Sequence, residues 1–114
     1  MISHVVLFRP KPTLTAAERA SLIQAVHHAI DGIPSIRRAS IGRRITLNRP
    51  GYETQMTEHY EFSAVFEFDS EANLRNYLDH PAHAELGKML FACAEAVLAY
   101  DFSDDLPTDL ARPG

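Results

Sequence analysis

Residues 2 to 8 alternate in the two-residue rhythm of a β-strand, with Ile2, His4, Val6 and Phe8 in one row and Ser3, Val5 and Leu7 in the other. Both rows are largely apolar, which predicts a central strand covered on both faces. The rhythm then lengthens. Leu22, Ile23, Val26, Ile30 and Ile33 recur at three- and four-residue spacing, the stripe of an amphipathic helix. Thr15 and Glu18 form a capping box at its start with Leu14 placed as a staple, and Gly32 and Pro34 stop it.

A second strand is expected over 36–47, where Gly42 suggests a bulge or a close backbone approach. Residues 48–58, with Pro50-Gly51, read as a long loop of the kind that covers a site or an interface. The third strand, over 59–68, sets Tyr60, Phe62, Ala64, Phe66 and Phe68 against His59, Glu61, Ser63, Val65 and Glu67. That aromatic row buries a large area as core or interface, and can also wall a ligand pocket.

Asp69-Ser70-Glu71 begins a short helix with Leu74, Tyr77 and Leu78 on its apolar face, favoured by acidic residues at the positive end of the dipole. Pro81 breaks this helix and starts another. The second helix is expected to continue over 84–99 on Leu86, Met89, Leu90, Cys93 and Val97, before a last strand over 97–102. The order β-α-β-β-α-β is the ferredoxin-like plan: an α+β fold with a four-stranded antiparallel sheet and helices on one face. One domain over 1–104 and a flexible tail over 105–114 are expected.

At 114 residues the chain can build a core without disulfide or metal. A net charge of −4 argues against a nucleic-acid partner. The four arginines Arg37, Arg38, Arg43 and Arg44 fall on both faces of their strand and read as edge protection. The single Cys93 reads as a buried thiol rather than a nucleophile. No secretory leader and no membrane-length apolar run is seen, so a cytoplasmic protein without membrane attachment is expected. His27 and His28 are adjacent on a helix and point apart.

Chemistry concentrates in Tyr77-Leu78-Asp79-His80-Pro81-Ala82-His83. Imidazole and phenol together can move protons near neutral pH. His80 is placed to cap or brace the helix break. His80 and His83 with Glu85 make a poor metal set, since Pro81 intervenes and a fourth ligand is missing. His4 reads either as a hydrogen-bonded core histidine or as a group facing a cavity.

Taken in series, these pieces resemble the stress-responsive A/B barrel (Dabb) family. The resemblance rests on the opening His4-x-Val6-Leu7-Phe8, Ile33-Pro34, the Gly42 strand, Phe66-Glu67-Phe68-Asp69-Ser70, the H-P-x-H run and Tyr100-Asp101-Phe102. It implies a dimeric α/β barrel, a homodimer joined through the open sheet face. In the plant polyketide cyclases of that family the residue matching His83 is a general base, the one matching Tyr77 polarises a carbonyl, and the one matching His4 lines the pocket. By the same resemblance His83 and Tyr77 are candidate catalytic residues, with His4, Val6, Phe8 and Phe62 lining the pocket. Phe62 stands where those cyclases carry a pocket histidine, implying a more apolar pocket. The ligand implied is a small apolar or ketone compound, with aldol-type chemistry and no cofactor or metal. A non-catalytic stress-related dimer and a cofactor-free monooxygenase-like barrel stay open as alternatives.

Overall fold

The structure, a computed structural model, describes residues 1–104; the tail expected over 105–114 lies outside the described residues. Its elements are β1 (Ile2–Pro10), α1 (Ala16–Gly32), β2 (Arg38–Arg43), β3 (Phe62–Phe68), α2 (Glu71–Asp79), α3 (Pro81–Cys93) and β4 (Ala94–Ser103), with a 3₁₀ turn at Glu53–Gln55. The strands form one antiparallel sheet in the order β2-β3-β1-β4. This is the ferredoxin-like arrangement expected from the element order, with the helical break splitting its second helix into α2 and α3.

Local chemistry explains the element boundaries. The Thr15 hydroxyl accepts from Glu18 N at 3.1 Å while the Glu18 carboxylate accepts from Thr15 N at 3.0 Å, so the expected capping box closes α1. Ser70 caps α2 by accepting from Asn73 N at 3.2 Å. Pro81 occupies the first turn of α3, where a missing N–H costs nothing, and the His80 imidazole caps that helix by accepting from Ala82 N at 3.0 Å.

Cross-strand register sorts the side chains. His4 opposes Phe66 and Asp101, and Phe8 opposes Phe62 and Val97, so these residues share one face. The helices cover it: Phe66, Phe68, Leu74, Tyr77, Ala82 and Leu86 join Ala25, Ala29 and Ile33 of the first helical segment in one buried cluster. The opposite face carries Val5, Leu7, Val65, Leu98, Tyr100 and Phe102, and no element of the described chain covers it. Tyr100 is 59% and Phe102 57% exposed there.

Several expectations shift, and the two alternatives for Gly42 resolve to one. Leu22, Val26, Ile30 and Ile33 of the expected α1 stripe pack against the core, but its most buried positions are Ala25 and Ala29, whose small side chains face α3, and Ile23 is exposed. β2 ends at Arg43 rather than 47, and β3 begins at Phe62 rather than 59, since the ladder closes on the Arg43–Phe62 pair. α3 stops at Cys93, and residues 94–99 are strand, because their backbone pairs with Val6–Pro10 of β1. Gly42 marks a close approach rather than a bulge: a Cβ there would meet Ser63 Oγ at 3.2 Å, and the register runs through unbroken.

Candidate active site

The core cluster contains a chain of rings whose members carry protons. Tyr77 projects from α2 onto the covered face of the sheet and is only 2% exposed. Its ring centroid lies 5.5 Å from His4, 5.5 Å from Phe66, 5.2 Å from Phe68 and 4.6 Å from His83. Sequence distance is bridged by topology: β1 supplies His4, β3 the two phenylalanines, α2 the tyrosine and α3 His83. The break at Pro81 turns α3 so that its first-turn His83 faces back onto Tyr77.

Each polar group has a defined orientation. His83 Nδ1 lies 3.1 Å from the Leu78 carbonyl, which can only accept, so the ring proton sits on Nδ1. The neutral ring then carries its lone pair on Nε2. Burial pushes the His83 pKa below the ordinary imidazole value, the nearby His4 lowers it further, and the Leu78 hydrogen bond opposes the trend. Burial, with the negative charge of Asp101 nearby, raises the Tyr77 phenol above its ordinary value, so it stays protonated. Among the described residues the Tyr77 hydroxyl has no hydrogen-bond partner, and the only unpartnered fully buried side-chain oxygen or nitrogen is Ser35 Oγ. The Tyr77 side chain as a whole is fully buried.

Asp101, which sequence reasoning passed over, belongs to this group. It faces His4 directly across the β1–β4 ladder, and His4 Nδ1 donates to its carboxylate at 2.6 Å. Of the two sequence readings of His4, the structure shows the hydrogen-bonded core histidine: it is buried, bonded to Asp101 and packed against the rings of Phe66 and Tyr77. Only the strand register could have revealed the pairing. Val6 and Phe8 continue the His4 row as buried residues, whereas Phe62 sits at the far end of that face, 6.4 Å ring to ring from Phe8, under the Arg43 guanidinium. The structure thus brings His4, Tyr77 and His83 together and leaves Phe62 apart from them. His80 is spent on capping α3. Among the described residues no group of three or more potential metal ligands is assembled, and no helix is long and apolar enough to cross a membrane.

A phenol beside an imidazole, packed on the covered face of a ferredoxin-like sheet, marks this small α+β protein. The chain belongs to the family of the stress responsive A/B barrel domain, whose model matches residues 2–104. It is 21% identical to olivetolic acid cyclase of Cannabis sativa over 102 residues, covering 90% of this chain and 95% of that protein. Its fold matches a dimeric ferredoxin-like protein of unknown function from Thermobifida fusca, with TM-score 0.69 and 26% identity over 90% of this chain and 89% of that one. It also matches the hydroxynitrile lyase of Passiflora edulis, with TM-score 0.75 and 17% identity over 93% and 96% of the two chains.

Proposed function

We propose that this protein is a base catalyst acting on a small ketone or polyketide-like compound, with His83 as the base and Tyr77 as the carbonyl-binding donor. The observation that carries the reading is the orientation of His83. Its Nδ1 proton is tied to Leu78 O, its charged form is disfavoured, and its Nε2 is left to accept a proton. In the reaction, Nε2 takes a proton from the carbon between two carbonyls. The C–H electron pair moves into the enolate, and the Tyr77 O–H donates to the oxygen that gains charge. The enolate carbon then attacks a second carbonyl of the same molecule, and the new alkoxide receives the proton from the imidazolium. The family membership and the distant cyclase relative support this class of chemistry.

The working unit in this reading is a homodimer joined through the open sheet face. That face exposes Tyr100 and Phe102 beside Val5, Leu7 and Leu98, an apolar surface that water disfavours. The Thermobifida fusca relative is itself dimeric.

The test is deuterium exchange at the central methylene of a soluble cyclic β-diketone, followed by proton NMR in D2O. The wild-type protein accelerates exchange over buffer at equal pH, and His83→Gln loses the acceleration while keeping its fold. Equal rates for the two proteins would refute the reading.

A further inference from the structure

The last turn of an α-helix leaves its carbonyls without intrahelical donors. For the Leu78 carbonyl of α2, chain geometry puts two backbone donors in range. One is the N–H three residues on, as in a 3₁₀ turn, and the other is the N–H four residues on, as in a continued α-helix. Residue 81 is a proline and has no N–H. Residue 82 has one, but the Ala82 N–H donates to His80 Nδ1 at 3.0 Å. Both local donors are withheld from Leu78.

Its neighbours at the break are served differently. Tyr77 O takes the His80 N–H at 3.2 Å, and His80 O takes those of His83 and Ala84 at 3.0 and 3.1 Å. Among the described residues no backbone N–H across the break donates to Leu78 O. The carbonyl left over is the one that His83 uses, with Nδ1 at 3.1 Å.

Backbone shape at the break serves the same end. His80 is extended, with φ −72° and ψ 140°, the conformation that a following proline favours. It brings the first turn of α3, which carries His83, back over the end of α2. On a helix running unbroken through residue 80, the Ala82 N–H would occupy Leu78 O, and the His83 imidazole would have no acceptor there. Because His80 Nδ1 accepts, the neutral His80 ring holds its proton on Nε2. The two histidines of the run therefore hold opposite tautomers.

We propose that His80 and Pro81 are positioning residues for His83: by withholding both backbone donors from Leu78 O, they leave it as the acceptor that keeps the His83 proton on Nδ1 and the lone pair on Nε2. This role rests on the reading of His83 as the base. Long-range ¹H–¹⁵N NMR of the full chain without substrate tests it, beside the deuterium-exchange rate with a cyclic β-diketone. Wild type is expected to show His83 protonated on Nδ1 and His80 on Nε2. His80→Ala releases the Ala82 N–H, and Pro81→Ala supplies an N–H at residue 81 and lifts the constraint on residue 80. In each, His83 is expected to populate both tautomers. The exchange rate then falls about 2-fold or more, because a ring with its proton on Nε2 cannot accept one there. His80→Asn, whose amide oxygen can take the Ala82 N–H, keeps both the His83 tautomer and the rate. A His83 ring held purely as Nδ1–H in both alanine variants would overturn the proposal, as would a His80→Asn protein that behaves like His80→Ala. Failure of the underlying reading is told apart by the rate alone: a wild type that exchanges the diketone no faster than buffer refutes His83 as the base, whatever the spectra show.

Discussion

Replacing Tyr77 with phenylalanine separates the two roles that its position allows, core packing and carbonyl binding. The substitution keeps the ring and therefore its contacts with His4, Phe66, Phe68 and His83, at centroid distances of 4.6 to 5.5 Å. It removes only a hydroxyl, which has no protein partner among the described residues. No donor or acceptor is orphaned, so the stability change should stay within about 0.5 kcal/mol, where loss of a satisfied hydrogen bond would cost about 1 kcal/mol. Catalysis should respond on a different scale. Deleting one donor to a developing oxyanion typically costs about 10²- to 10³-fold in rate. Urea denaturation gives the first quantity as a midpoint shift at constant slope, and the deuterium-exchange rate gives the second. A variant that loses more than 1 kcal/mol of stability while keeping its exchange rate would show the hydroxyl to be a core hydrogen-bonding group, and the reasoning would fail.

Other consequences follow from the same geometry. Because the His83 pKa is lowered, the exchange rate should rise with pH along a limb centred below the ordinary imidazole value of about 6.5, with no fall from phenol ionisation below about pH 10, since that of Tyr77 is raised. The same shift acts on stability. The unfolded chain binds this proton more readily than the folded one, so the contribution is complete above about pH 6.5 and is lost as pH falls towards the folded value; His83→Gln should flatten that part of the curve. His80→Ala removes the α3 cap and should cost about 1 kcal/mol in urea unfolding, with His80→Asn recovering most of it. Tyr100→Glu with Phe102→Glu should convert the dimer to a monomer in sedimentation equilibrium; a monomeric wild type would refute that interface.

Where local rules dominate, the chain was readable. The Thr15–Glu18 box, the restart at Pro81 and the two rows of β1 all depend on neighbouring residues, and each appears where expected. The α3–β4 boundary was not readable, because Ala94–Ala99 mixes alanine, leucine and glutamate, all good helix formers. Pairing with β1, a contact spanning some ninety residues of sequence, overrides that preference. The candidate site divides in the same way. Tyr77, His80 and His83 lie in one short run and are visible together, whereas Asp101 becomes a partner of His4 only through the β1–β4 register. The family resemblance places Phe62 beside the pocket; its position along β3, opposite Phe8, sets it apart from His83.

The central claim is that His83 is a neutral base with its free nitrogen available to a ligand. Long-range ¹H–¹⁵N NMR of the imidazole rings over a pH titration reads this directly. The account predicts that His83 carries its proton on Nδ1, titrates below the ordinary imidazole range, and shifts its Nε2 resonance when a β-diketone is added. A ring protonated on Nε2, or one that titrates above the ordinary range, would contradict it.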